Sequence, residues 1–446
     1  MSRPRSIASP TSPHSPRFQA LRSLSPWAQR NLLILFLSGL LFWASLTILL
    51  PTLPLYLQSI GATPQQLGVI LGGFAIGLLV FRFVLGYGAD RRRKAVLLVG
   101  LATVAIAPLG YWLTESLPLL FGVRMFHGLS VAAFTTAYLA LVTDLAPRAV
   151  RGEILGYMTL VNPVGMAIGP ALGGYVEANF GYDWLFWTSV TIGLLGLWCG
   201  SQVNLNHPPD PSLPNPPLPE TGTQAPTPPP ARFWKLLVLP AIYVPSLVLL
   251  LMGTAFGTFG TFLSLFVKES AIDLNAGLVF TAAAIGSFGI RVLAGKGSDR
   301  YGRGLFISLG LLSYSLSILC IYLAQKPWHL LGAGVLEGCG FGMLLAALAA
   351  LMADRSPPQE RARSMNFCFM GLDLGIAIAG PVLGKVAETW GYRSLFGIAA
   401  VLPLLGLGLF LVASSRTWRQ SLRFALGRGQ DGYAINEASY SNGQAH

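Results

Sequence analysis

Apolar residues run along this chain in blocks of about 20 or more, the length an α-helix needs to cross the hydrocarbon core of a bilayer. The blocks fall at 31–57, 67–88, 95–114, 118–143, 154–176 and 184–203, then at 235–267, 275–296, 305–324, 330–353, 365–387 and 394–414. Polar, charged or glycine-rich stretches separate them. The pattern predicts twelve membrane-spanning helices, called spans 1 to 12 in chain order, with six on each side of a proline-rich interruption. Prolines inside the blocks (Pro51, Pro54, Pro163, Pro170, Pro240, Pro245, Pro381) do not argue against helices, because neighbouring helices can satisfy the freed backbone groups. The long spans 1 and 7 are expected to tilt or to lie partly in the interface.

The two sets of six are alike. Gly68, Ala75, Ile76, Gly77, Arg82, Gly86, Gly88, Asp90 and Arg91 reappear as Gly277, Ala284, Ile285, Gly286, Arg291, Gly295, Gly297, Asp299 and Arg300, a constant 209 positions on. Asp144, Pro147 and Arg151 return 210 positions on as Asp354, Pro357 and Arg361. Internal duplication of a mostly apolar unit is how many membrane transporters are built. The predicted organisation is an arm at 1–30, a six-helix bundle at 31–203, a linker at 204–234, a second bundle at 235–414 and a tail at 415–446.

Composition narrows the class. Of 446 residues 53% are hydrophobic and 11% charged, and the mean hydropathy is +0.59. Soluble chains carry about 25% charged residues, so charge this sparse cannot cover a soluble body of this size. The fold class expected is an all-α integral membrane protein. The charge that is present sits asymmetrically. Arg3, Arg5, Arg17, Arg22 and Arg30, the loop 91–94, Arg148, Arg151, Arg300, Arg303, Arg355, Arg361 and Arg363, and Arg416 to Arg428 mark alternate loops and both termini. The intervening loops carry Glu115, Glu177, Asp183, Glu269, Asp273 and Glu388. By the positive-inside rule both termini and the linker are cytoplasmic. The net charge of +12 then serves topology and contact with anionic lipid, and no nucleic-acid partner is expected, since no basic run is interleaved with exposed aromatics.

The linker is read as an extended or disordered spacer, with partner docking through its proline runs as the alternative. The Ser/Arg-rich arm is read as disordered and cytoplasmic, with an organelle transit peptide as the alternative; no cleavable signal peptide is evident. The expected location is accordingly the cell (inner) membrane or, failing that, an organelle envelope. Cys199, Cys320, Cys339 and Cys368 lie in or beside apolar spans without CxxC spacing, and read as small buried hydrophobes.

The duplicated turn after spans 2 and 8 has the form GxGxDR. Its glycines allow close helix approach. Asp90 and Asp299 are placed to meet the N–H groups that open a neighbouring helix, where the dipole is positive, and Arg91 and Arg300 to pair with acids across the seam between halves. Together with GKGSDRYGRG around Arg303, these turns resemble the loop motif of the major facilitator superfamily, and the resemblance covers essentially the whole chain. The first copy departs at Arg93, where the family usually has Gly. Span 5, GYMTLVNPVGMAIGPALGG, fits the superfamily's antiporter pattern Gx8Gx3GPx2GG at Gly156, Gly165, Gly169, Pro170, Gly173 and Gly174. Gly165, Gly169 and Gly173 form one small-residue stripe, and Pro170 removes a helix hydrogen bond. Span 11 keeps Gly380, Pro381 and Gly384 but has Ile376 where the preceding glycine would fall. The resemblance implies two six-helix bundles around a central cavity that opens alternately to either side, with the turns as cytoplasmic gates.

Four ionisable residues lie inside spans: Arg124 and His127 in span 4, Glu337 in span 10 and Asp373 in span 11. A charge at the bilayer centre costs roughly 2.5–3.5 kcal/mol on insertion scales, so these groups should face a cavity or pair. Arg124 with Gly128 resembles the family's fourth-span motif RxxxG, and Glu337 occupies nearly the matching place in the second half. Glu337 and Asp373 are candidates for proton coupling or substrate binding, with static pairing as the alternative; Arg124 is the expected partner of Glu337, and packing is the bland reading of His127. Trp43, Phe42 and Asn162 are candidate cavity-lining groups. The chain has no phosphate-cradling loop before a soluble domain, no clustered metal ligands and no nucleophile–base pair, so neither a cofactor nor enzymatic catalysis is expected. The reading is a monomeric, proton-coupled exporter of a small-molecule substrate. An uptake symporter or facilitator of the same fold is the main alternative, and a non-transporting membrane sensor the remote one.

Overall fold

A computed structural model describes residues 24–86, 92–147, 150–205, 239–357 and 360–435. Among these, nine helices are long and apolar enough to cross a membrane. Two of the nine, 151–201 and 363–413, each contain two spans, and Ala276–Arg291 adds a shorter apolar helix. Twelve crossings result, all α-helical.

The double helices turn at single glycines. Gly181 has φ 83° and ψ −178°, and Gly391 has φ 78° and ψ 164°. Both lie in the left-handed region that side chains avoid, and they sit 210 positions apart. The sequence pattern placed polar gaps at 177–183 and 388–393; the structure needs only one glycine in each. The packing shows that the chain reverses there. Span 5 runs beside span 1 in the same direction, Gly165 lying against Trp43 and Gly173 against Ile48. Span 6 runs back along it, with Ser189 bonded to Ser45 and Gly200 facing Ser38.

Span 1 is shorter than its apolar block. Ser25 caps the helix Pro26–Thr47 by accepting a bond from Ala28 N, and the chain then turns before a second short helix, Leu53–Ser59. Pro51 explains the break: it has no N–H, and its ring would strike the carbonyl of residue 47. Span 5 is interrupted for the same reason. Arg151–Met158 stops one turn before Pro163, and Val161–Ser201 begins after two residues of turn.

Glycines decide where helices meet. A Cβ on Gly77 would strike the backbone of Met125 and one on Gly128 the backbone of span 2 at Phe74; in the other half, Gly286 meets Val335 and Gly338 meets Ala283. Small residues permit this closeness where lipid supplies no hydrophobic drive. Trp112, Trp184, Trp328 and Trp390 are exposed beside the turns opposite the Arg-rich loops, as expected of an interfacial aromatic belt. Beyond span 12 the tail adds a helix, Trp418–Ala425, docked against its own half.

Candidate functional site

Between the two sets of six helices lies a cavity of about 70 Å³. Spans 1 and 5 contribute Leu50, Asn162 and Met166; spans 7, 8 and 10 contribute four phenylalanines with Ser287, Arg291 and Glu337. The aromatic wall is ordered: Phe256 stacks on Phe341 at 4.5 Å between centroids, and Phe259 meets Phe280 edge-on at 5.0 Å. Asn162 reaches the cavity as expected. Phe42 does not; it is fully buried inside the first half, stacked on Phe134. Trp43 instead packs through its Cβ against Gly165.

The seam between halves is closed on the side away from the Arg-rich loops. Gly68 and Gly380 meet backbone to backbone, and Gly72 faces Ala377. Across the pseudo-twofold, Gly277 meets Pro170 and Gly174 meets Asn275, while Thr281 donates to the Ala167 carbonyl at 2.6 Å. Lys268 donates to Gln58 at the same end, at 3.1 Å. Past the 167/281 contact spans 5 and 8 part around the cavity, which therefore lies on the Arg-rich side of the closure.

The antiporter-pattern helix thus has two jobs. Gly165, Gly169 and Gly173 pack on span 1, where Gly169 meets Thr47 and Ala44; Pro170 and Gly174 face span 8 across the seam. Gly156 faces open space, and a Cβ there would meet nothing within 4 Å.

Glu337 is 3% exposed, yet it forms part of the cavity wall. It stands beside the Tyr314 hydroxyl, but neither its Oε1 nor that hydroxyl has a partner of bonding geometry. Arg124, the expected partner, is elsewhere. Its guanidinium lies 4.6 Å from the centre of the Phe74 ring and beside Tyr111, with its Nε unbonded. Each ionisable group is held by aromatic residues of its own half, which keeps the two apart. His127 is fully buried, its Nδ1 bonded to the Tyr111 hydroxyl at 3.1 Å and its Nε2 unpartnered. The match between halves is closer than the sequence pattern indicated: Glu337 stands 210 positions after His127, not after Arg124.

Asp373 does not line the cavity. It bonds Arg82 of span 2 at 2.5 Å, and among the described residues this is the ion pair that joins the halves. The seam pairing had been expected of the loop arginines. Of those, Arg91 lies with Asp90 outside the described residues, and Arg300 rests on the Tyr301 ring. Asp299 likewise does not cap the N–H groups that open the next helix, Arg303–Tyr322; it pairs instead with the side chain of Arg303 at 3.0 Å, and Arg303 also grips Asp354. The closed stretch of seam is at the far end, so these loop groups find partners within their own half. In the first half Arg93 bonds Asp144 at 2.5 Å. Since Arg93 and Asp144 each precede Arg303 and Asp354 by 210 positions, Arg93 is the counterpart of Arg303 and not a replaced glycine. The first copy is one residue shorter in the turn. Span 8 runs through Gly295 to Tyr301; the matching turn of the first half, 87–91, lies outside the described residues.

Arg82, Tyr111, Tyr314 and the cavity phenylalanines were not singled out as site residues from sequence. Only Arg82 carried a signal there, its recurrence as Arg291.

Twelve spans in two like halves, packed over a wall-lined cavity and closed at one end, define a membrane transporter. The chain belongs to the Major Facilitator Superfamily, whose model matches residues 35–304 and 246–429. It is 26% identical over 398 residues to the multidrug resistance protein MdtG of Serratia proteamaculans, covering 84% of this chain and 92% of that one. It is 23% identical over 391 residues to the quinolone resistance protein NorA of Staphylococcus aureus, covering 84% and 96%. Among solved structures it resembles the nucleoside transporter NupG, with a TM-score of 0.68 at 15% identity over 86% of this chain and 99% of that one. It also resembles a bacterial homolog of the human lysosomal transporter Spinster in an inward-facing, unoccupied conformation, with a TM-score of 0.69 at 17% identity over 91% and 99%.

Proposed function

We propose that the protein exports small organic solutes in exchange for protons, by alternating access. The observation that carries this reading is Glu337: a buried carboxylate with an unpartnered oxygen, set in the wall of an aromatic cavity at the junction of the halves. A carboxylate so placed has two ways to avoid its desolvation penalty, a proton or a cationic group on the solute. If the two compete, solute leaves as a proton enters. The phenylalanine wall favours flat aromatic or amphipathic solutes, and the drug-resistance names of the relatives support export over uptake.

The Arg-rich end is cytoplasmic on this reading, so the described state is closed to the outside. Arg82–Asp373 sits on the inner side of the seam and separates or re-forms as the halves rock. Asp299 and Arg303 with Asp354, and Arg93 with Asp144, brace the inner ends of spans 8 to 10 and of spans 3 and 4 for that motion. The membrane is the inner membrane of a cell, the protein acts as a monomer, and the linker and both termini are cytoplasmic. Reporter fusions at Pro208 and Gln444 should read cytoplasmic.

The decisive experiment is a panel of aromatic and amphipathic cations on proteoliposomes with an imposed proton gradient, reading lumenal pH and solute together. Export predicts opposite movement of solute and protons, lost in Glu337→Gln. Movement in the same direction would make the protein a symporter, and solute flux that ignores the gradient would make it a facilitator.

A further inference from the structure

The tail beyond span 12 is not an unstructured end. Thr417 caps the helix Trp418–Ala425, and Ser421, Phe424 and Ala425 face the protein. The Ala425 carbonyl accepts from Ser308 Oγ at 3.0 Å, and Gly304 at the start of span 9 leaves no room for a side chain under Phe424. Further along, Asp431 makes a two-bond pair with the buried Arg355, at 2.7 and 2.9 Å, and Ile435 N donates to the Asp354 carbonyl. The segment is therefore held in one orientation.

That orientation leaves a particular face outward. Trp418, Leu422 and Leu426 are exposed one turn apart. Beside them Arg419 and Arg423 form a second exposed row, with exposed Arg416 and Arg428 at either end. Trp418, Arg419, Leu422 and Arg423 share one shallow concavity. No acidic residue occurs from Arg416 to Arg428, and the first that follows, Asp431, is consumed by Arg355. Only four residues separate the helix from Ala413, the last of span 12, so it cannot stand far from the bilayer surface. An apolar row beside an arginine row, tethered at that depth, is the arrangement of an interfacial helix.

We propose that 416–428 is a binding segment for anionic phospholipid in the leaflet at the Arg-rich end. Trp418, Leu422 and Leu426 enter the acyl boundary, and Arg416, Arg419, Arg423 and Arg428 hold the headgroup phosphates. The protein side of the same helix rests on Gly304 and, through Phe424, on Arg355, so lipid contact steadies the Asp299–Arg303–Asp354 cluster next to it.

The test uses the full chain in nanodiscs of phosphatidylcholine alone or with increasing phosphatidylglycerol, following amide exchange of 416–428. Exchange should slow as phosphatidylglycerol rises and recover at high salt. The exposed pair Arg419→Gln/Arg423→Gln should need roughly 30-fold more anionic lipid for the same protection, at about 1 kcal/mol per arginine. Inorganic phosphate in phosphatidylcholine discs should give no protection. Exchange that is indifferent to phosphatidylglycerol, unchanged in the double variant, or slowed equally by free phosphate would overturn the proposal. A segment that exchanges at the unstructured rate in every lipid would also count against it.

Discussion

The two halves of this transporter share a frame and differ in what that frame is used for, most of all at one pair of positions. Arg93–Asp144 and Arg303–Asp354 are the same brace, 210 positions apart. Gly181 and Gly391 make the same reversal, and Gly68 on Gly380 mirrors Gly277 on Pro170 across the seam. At the pair 127/337 the likeness ends. In the first half His127 is bonded to Tyr111 and shut inside its bundle. In the second, Glu337 has Tyr314 for a neighbour, leaves one oxygen unbonded and opens on the cavity. Duplication supplied symmetric walls and hinges; the chemistry enters where symmetry was broken. The same is true of shape, for all four phenylalanines of the cavity wall come from the second half.

The largest expected effect follows from that contrast. Glu337→Gln keeps the volume of the side chain but removes its charge, and should abolish transport driven by a proton gradient while leaving solute binding and passive exchange. His127→Gln should keep most of the parent's gradient-driven rate and lose some thermal stability, because only an interior hydrogen bond is removed. Paired measurements in proteoliposomes decide the matter. Equal loss in both variants would make the halves functionally alike and break the comparison.

Next is the seam. Leu in place of Gly380 would drive a side chain into the Gly68 backbone, with no flexible neighbour to give way. The state closed at the end away from the Arg-rich loops should then be inaccessible, transport should be lost, and a cysteine in the cavity wall should become reactive from that end. Gly169→Leu, which meets Thr47 and Ala44 inside one half, should also stop turnover, but through packing of that half and without this change in access. Gly156→Ala, facing open space, should behave as the parent does, although it belongs to the same sequence pattern.

Spans, halves and the duplicated turn were legible in the sequence because they rest on local signals: length of apolar run, glycine spacing and Lys/Arg bias. Breaks after Thr47 and Met158 were less so, since proline in a membrane helix can either kink or interrupt it and only packing decides. Partners of buried charge were not legible. Arg82 reaches Asp373 across 291 positions, and nothing along the chain marks that meeting. Arg124 was assigned to Glu337 on charge alone, whereas each is enclosed by aromatic residues on spans 2, 3 and 9. Arg93 was misaligned because one residue missing from the first turn shifts the repeat from 209 to 210 just before it.

A smaller effect separates the halves by stability. Arg355 is fully buried and bonds Asp431, the Ala241 carbonyl and the Ser414 carbonyl; the matching position of the first half, Leu145, is apolar. Removing one member of a buried ion pair costs about 3–5 kcal/mol. Asp431→Asn should therefore destabilise the second half alone, visible as early exchange in spans 7, 10 and 12 with spans 1 to 6 unchanged. Uniform loosening of both halves would show that they do not unfold separately.

The smallest effect tests the braces. Arg93–Asp144 and Arg303–Asp354 are part-exposed, and pairs of that kind contribute about 0–1 kcal/mol. Neither Arg93→Gln nor Arg303→Gln should unfold the protein, and any loss should appear in the transport rate. In the second half Arg303 holds Asp299 as well as Asp354. Reversing the charges, Arg303→Asp with Asp354→Arg, should therefore restore only part of what Arg303→Asp loses, because the carboxylate introduced at position 303 would face Asp299. Adding Asp299→Asn removes that repulsion and should complete the rescue. The parallel set, Arg93→Asp with Asp144→Arg and then with Asp90→Asn, puts the same question to the first half. Transport rates of the two series measure this directly. A third substitution that helps equally in both halves would make the two turns equivalent in work as well as in sequence. Full rescue by the 303/354 exchange without Asp299→Asn would mean that Asp299 takes no part in the brace.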